Sequence, residues 1–212
     1  MRFFVRALRS QSARAGRCRS GGAGGPLYGG RNKKVASRGK FLSEKAFVGL
    51  GSNLGNGEAN CVRALLLISR FASLEAVSPI YKTEPVGIEG VQPFFINAVA
   101  MIGDAPPPER FLLELQAVEK QMGRTEKGNN KPRVMDLDIL FYGETVFENR
   151  SLKIPHPLAH LRRFILEPMS AIAPDFVHPV LGKTIAELLR ELDETASVEM
   201  LKSEFFPFGS GG

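Results

Sequence analysis

The sequence points to an α+β architecture: one antiparallel sheet with two helices laid on a single face and further helices added towards the C-terminus. Three observations carry this. Strand-like and helix-like runs follow one another as β-α-β-β-α-β between Ala46 and Tyr142. The helical runs bring apolar residues to one side, and the connections are rich in Gly, Pro and Asn, the residues that punctuate elements. That order is the ferredoxin-like arrangement.

Each element has its own warrant. Ala46 to Leu50 is a short apolar strand, and Gly51 to Gly57 reads as a loop. The helix over 58–71 places Val62, Leu65, Leu66 and Ser69 at helical spacing, so this stripe should face the sheet with Glu58 and Arg63 in water. Leu74 to Thr83 and Phe94 to Ile102 are rich in β-branched and aromatic residues and read as strands, separated by a polar connection that holds Pro85, Gly87, Gly90 and Pro93. The second helix begins near Pro107 or Pro108, a favoured first-turn residue, runs through Phe111, Leu112, Leu115 and Val118 to Met122, and has Gly123 as a C-cap. Val134 to Tyr142 is the next strand, followed by a turn at Pro155-His156-Pro157 and helices over 162–173 and 184–193.

Length and composition bound the function. A chain of 212 residues with 43% hydrophobic and 24% charged residues suits one globular domain. The net charge of +6 is unevenly placed, because residues 1–45 hold twelve of the 28 Lys and Arg and one acid, Glu44, leaving 16 bases against 21 acids in 46–212. An acidic body argues against nucleic acid as a partner of the fold, which would need positive charge gathered on its surface. Residues 1–45 are rich in Arg, Gly and Ser without apolar periodicity and read as a basic, disordered extension, either an organelle transit peptide or a segment with no role. The cytoplasm, or an organelle matrix in the transit-peptide case, is the expected location. Cys18 and Cys61 build no disulfide framework or zinc spacing. No apolar run approaches the 18 or so residues that cross a bilayer, so no membrane is expected.

The sharpest local feature is Asp136-Leu137-Asp138-Ile139-Leu140. In a strand, alternate side chains share a face, so both carboxylates point one way, about 6.5–7 Å apart at Cα, while Leu137 and Ile139 point into the core. Carboxylates at that spacing can bracket two cations roughly 3.5–4 Å apart, and oxygen ligands indicate magnesium. The competing reading is a pair on a solvated edge. Against it, Asp is depleted in strands, and like charges on one face repel unless neutralised. Upstream, Arg124, Lys127, Lys131 and Arg133 could grip phosphates beside such ions, and Arg133 is three residues from Asp136.

Other chemistries fit poorly. Gly49-Leu50-Gly51-Ser52-Asn53-Leu54 ends in Leu where a dinucleotide fingerprint needs Gly, and no Gly-Lys-Ser/Thr follows, so this stretch reads as a tight strand-to-helix turn near a pocket. His156, His160 and His178 do not form paired metal ligands, and Ser52 sits in no nucleophile elbow. His156, between two prolines, is the one histidine placed to aim a donor at a phosphate.

Taken together, Gly49-Leu50-Gly51-Ser52-Asn53-Leu54-Gly55, Tyr81-Lys82-Thr83-Glu84-Pro85-Val86-Gly87, Gln92-Pro93-Phe94-Phe95-Ile96-Asn97-Ala98 and Pro132-Arg133-Val134-Met135-Asp136-Leu137-Asp138-Ile139-Leu140 resemble the 6-hydroxymethyl-7,8-dihydropterin pyrophosphokinase family of folate biosynthesis, over about residues 46–190. The resemblance implies an enzyme that transfers the β,γ-pyrophosphoryl unit of ATP to the pterin hydroxymethyl oxygen and releases AMP; the domain is expected over 46–212, and a monomer is expected. It implies two magnesium ions on Asp136 and Asp138, with Arg124 and Arg133 sharing in catalysis. Phe95 and Phe164 would sandwich the pterin, whose edge Thr83, Pro85, Val86 and Asn97 would read. For ATP the same resemblance implies Gln116, Glu119, Arg124, Lys127, Arg133, His156 and Arg162, with Ile139, Leu152 and, through its backbone, Lys153 around adenine. The loop 124–132 would close over the reactants. The chain departs from the family pattern in having no Trp, Glu126 in place of a loop Arg, Lys131 before Pro132, and Pro157 after His156.

Two rival readings make different demands. The same element order builds RNA-recognition modules, whose sheet aromatics stack bases, but their strand motif is absent. Another two-metal kinase acting on a small alcohol would release ADP in place of AMP.

Overall fold

The computed structural model describes residues 45–85, 92–124, 131–193 and 196–202. β1 (Ala46–Ser52) lies between β4 (Phe95–Gly103) and β5 (Asp136–Tyr142), antiparallel to both. β2 (Ser73–Val77) and β3 (Ile80–Thr83) both pair with β4, and β8 (Val198–Lys202) adds to β3, giving the order β5-β1-β4-β3-β8 with β2 also on β4. The expected α+β, ferredoxin-like order is therefore present, extended at one edge.

Strand alternation divides the core in two. Ala46, Val48 and Leu50 of β1 face α1 (Gly57–Ile68) and α2 (Pro108–Gln121), meeting Leu65, Phe111 and Leu115. Phe47 points the other way, to α3 (Arg163–Ile172) and α4 (Ile185–Glu191), with Ile165, Leu166 and Met169. A small hairpin of β6 (Phe147–Glu148) and β7 (Lys153–Ile154) lies beyond β5.

Several expectations are corrected. The run 74–83 is two strands, broken at Ser78-Pro79, because proline has no N–H for the ladder. Ser78 patches the gap: its N–H donates to the Val99 carbonyl at 2.9 Å, and the Val99 N–H donates to Ser78 Oγ at 2.9 Å. In α1 the buried stripe is Cys61, Ala64, Leu65 and Ile68, while Leu66 is 53% exposed and Ser69 is exposed as well. Asn56 fixes the start of the helix by accepting the Ala59 N–H at 3.0 Å as N-cap, and the close approach of Gly57 to Ile96 sets its rotation on the sheet. β1 also runs on to Ser52, so Gly51 belongs to a strand and not to the turn.

β5 carries a bulge. Phe47 pairs with Phe141 and Val48 with Ile139, leaving Leu140 without a partner in β1. Asp136, Asp138 and Leu140 thus share the α3 side with Phe141, while Leu137 and Ile139 enter the α1–α2 core. Among the described residues no helix is long and apolar enough to cross a membrane. The basic extension apart from Lys45, Val86, and Lys127 with most of the loop 124–132 lie outside the described residues.

Candidate active site

The cleft opens on the α3 side of the sheet, and its floor follows from β1. Gly49 and Gly51 alternate on that face, opposite Val99 and Asn97 of β4 and opposite Asp138 and Asp136 of β5. A Cβ on Gly51 would meet Asn97 Oδ1 at 3.0 Å, so glycine keeps the floor open. Neither glycine stood out as a site residue in the sequence, because the stretch reads as a turn. Asp136, Asp138, Arg133, Thr83, Phe95, Asn97 and Phe164 all line this cleft.

The acidic pair is held asymmetrically. Arg124 pairs with Asp136 and with Glu119, and Arg133 Nε lies 3.0 Å from Asp136 Oδ2. Burial alone would raise the Asp136 carboxyl, but the charges of Arg133 and Arg124 outweigh it and hold the group below the usual carboxylate range. Asp138 shifts the opposite way. Burial and then the Asp136 charge push its carboxyl up, with the nearby His156 acting against them. His156 is itself buried, which holds its imidazole below the ordinary value against the pull of Asp138. Its Nδ1 accepts the Leu158 N–H at 3.3 Å and its backbone N–H donates to the Leu140 carbonyl at 2.8 Å, so the ring stands beside β5.

Opposite the acids lies an aromatic and amide wall. Asn97 Nδ2 donates to Thr83 Oγ1 at 2.6 Å, joining β4 to β3, and both residues are buried. The Arg133 guanidinium stands over the Phe95 ring at 5.2 Å. Phe164, in the first turn of α3, reaches the same space.

The remaining expected contacts are spread more widely. Glu119 is 1% exposed and accepts the Leu137 N–H at 2.8 Å, so it stands behind Asp136 as a strut for Arg124 and β5. Gln116 is one helical turn earlier on α2, half-buried. Ile139 and Leu152 pack in the α1–α2 core, on the far side of the sheet from the acids. Lys153 is exposed on β7 and pairs with Glu148 at 3.0 Å. Arg162 precedes α3, near enough to His156 to affect its charge, and Pro85 ends the described stretch after Thr83.

The donor set suits a hard cation. Two carboxylates face one cleft, one carrying a burial penalty that a cation would relieve, and among the described residues no cluster of three metal-ligating side chains exists. Two protein carboxylates with phosphate and water oxygens completing the shell is the pattern magnesium favours.

The family comparison gives the class of the protein, an ATP-dependent diphosphotransferase. A model described as 7,8-dihydro-6-hydroxymethylpterin-pyrophosphokinase (HPPK) matches residues 47–174. The chain belongs to that family. It is 34% identical over 145 residues to a 2-amino-4-hydroxy-6-hydroxymethyldihydropteridine pyrophosphokinase of Aquifex aeolicus, covering 68% of this chain and 90% of that protein. It is 36% identical over 162 residues to the folic acid synthesis protein fol1 of Pneumocystis carinii, covering 76% of this chain but only 22% of the relative, so it spans about a fifth of that longer protein. Among solved structures, an HPPK-DHPS of Plasmodium falciparum superposes with a TM-score of 0.61 at 16% identity, covering 70% of this chain and 45% of the other, a likeness of fold. Membership of that family supports pyrophosphoryl transfer from ATP to hydroxymethyldihydropterin in folate biosynthesis.

Proposed function

We propose that residues 46–212 form a pterin pyrophosphokinase domain whose chemistry is centred on Asp136 and Asp138. One observation carries the reading: two carboxylates and two arginines converge at one end of a cleft whose other wall is Phe95, Asn97 and Thr83. Asp136 and Asp138 would hold two magnesium ions, which supply charge neutralisation at the ATP phosphates. Phe95 and Phe164 would stack the pterin, and the Asn97 amide would read its hydrogen-bonding edge. Arg124 and Arg133 would grip the phosphates, and His156 and Arg162 would flank them.

In the reaction the pterin hydroxymethyl oxygen forms a bond to the β-phosphorus of ATP. The bond from that phosphorus to the oxygen bridging to the α-phosphate breaks, AMP leaves with the bridging oxygen, and the hydroxyl proton passes to solvent. Such transfer depends on in-line placement and neutralised charge more than on a strong base, which suits a cleft of acids and arginines. The enzyme would act as a cytoplasmic monomer, without nucleic acid or membrane as partner. Incubating the protein with ATP, magnesium and hydroxymethyldihydropterin and identifying the nucleotide product tests this: AMP formed only with pterin and metal is expected, and ADP, or AMP without pterin, would overturn it.

A further inference from the structure

We infer that Asn53 is a positioning residue for this reaction, which ties the backbone of Arg133 and the segment leading into Phe95 to the end of β1. The inference rests on the pyrophosphokinase reading above. Asn53 is the first residue past β1, 6% exposed, and absent from the cleft lining. It is itself assigned to no reactant, yet it engages Arg133, an assigned phosphate ligand, twice through the backbone. The Arg133 N–H donates to Asn53 Oδ1 at 2.7 Å, and the Asn53 N–H donates to the Arg133 carbonyl at 3.1 Å. Side chain and main chain of one residue thus close a two-point clamp on a residue 80 positions away.

The same side chain reaches a third element. Asn53 Nδ2 donates to Gln92 Oε1 at 3.1 Å. Gln92 begins the described stretch that enters β4 through Phe94 and Phe95. One amide therefore spends its acceptor on the arginine that meets Asp136 and lies over Phe95, and its donor on the approach to Phe95 itself. The primary amide supplies acceptor and donor at once: Ala would lose both arms, whereas Asp keeps the acceptor, and a rotated Gln92 amide can donate to its second oxygen.

The support beneath Asn53 is rigid. Asn60 of α1 donates from Nδ2 to Ser52 Oγ at 3.0 Å and to the Leu54 carbonyl at 2.9 Å, bracing the residues on both sides of Asn53 against the helix. A positional error at Asn53 would therefore be passed to Arg133 and not absorbed locally. A misplaced catalytic group lowers turnover more than it lowers affinity for a distant part of a substrate.

The test compares Asn53→Ala, Asn53→Asp and Gln92→Ala with the unaltered chain, following AMP formation, pterin KM and hydrogen exchange of the Arg133 amide without ligands. Loss of one buried hydrogen-bond acceptor should lower kcat of Asn53→Ala by about tenfold or more. In that variant the Arg133 amide should also lose its protection. Asn53→Asp should recover most of the turnover and the protection, and Gln92→Ala should raise the pterin KM with kcat near that of the unaltered chain. Unchanged kcat in Asn53→Ala, or an Asn53→Asp variant as impaired as Asn53→Ala, overturns the role of Asn53. If Asn53→Ala does not fold, retention of Arg133 amide protection by Asn53→Asp supports the clamp and its loss overturns it. An unaltered chain that makes no AMP overturns the functional reading first, and the role of Asn53 with it.

Discussion

At the scale of single residues, Asp138 and Gly51 show how much of the cleft depends on what a side chain is prevented from doing. The Asp138 carboxyl is pushed up by burial and by Asp136. A folded-state pKa above the unfolded one makes the ionised group a cost at neutral pH, and that cost fades as pH falls through the raised folded value and is gone once pH lies below the ordinary value of 3.8. Asp138→Asn should therefore melt higher than the unaltered chain at pH 7 without metal, the gap closing towards pH 4. Its magnesium-dependent AMP formation should fall by at least about a hundredfold, with pterin affinity little changed. A lower melting temperature in metal-free buffer would sink the electrostatic account. Gly51→Ala should weaken pterin binding by about 1–3 kcal/mol, because the added methyl meets Asn97 Oδ1 at 3.0 Å and Phe95 Cδ1 at 3.9 Å. Titration by calorimetry would check it. The acids were legible in the sequence because two-residue alternation alone puts them on one face, whereas Gly51 was hidden inside a stretch that looks like a turn. Asn53 stood inside a recognised motif, but nothing local pointed to its partner, which is 80 residues away.

At the scale of elements, the two central helices and the long strands were readable from periodicity, and the misses have physical causes. Proline at 79 was visible, but only the observed pairing shows that Ser78 lends its hydroxyl to the ladder. β8 is five residues long and joins the sheet at β3, a placement that no local pattern encodes. In α1 several stripes were compatible with helical spacing, and the choice was made by the close approach of Gly57 to Ile96. A Cβ there would lie 2.5 Å from Ile96 Cγ1 and 2.7 Å from its Cβ. Gly57→Ala gains at most about 1 kcal/mol of helix propensity, while overpacking costs about 1–3 kcal/mol, so the overlap should win. The expected outcome is a lower denaturation midpoint, and an unchanged or higher one would show that α1 can shift on the sheet without penalty.

At the scale of the whole molecule, a six-stranded sheet separates a sealed core under α1 and α2 from an opened face under α3 and α4. Stability and ligand binding should therefore be linked through the opened face. A non-hydrolysable ATP analogue with magnesium, at a hundred times its dissociation constant, adds about 2.7 kcal/mol and should raise Tm by roughly 5–10 °C. The same analogue with a chelator should give less than half that shift in a thermal melt, and equal shifts would argue against metal in the site. β5 joins the two sides, since its seven residues send alternate side chains to opposite faces until the bulge at Leu140. A one-residue indel just ahead of Asp136 would exchange the tenants of both faces, driving two carboxylates among aliphatic neighbours and turning Leu137 and Ile139 towards the nucleotide. Length changes here are tolerable only in steps of two, so neither an evolving lineage nor a mutant library can alter the spacing of this strand for catalysis without also rewriting what holds the molecule together.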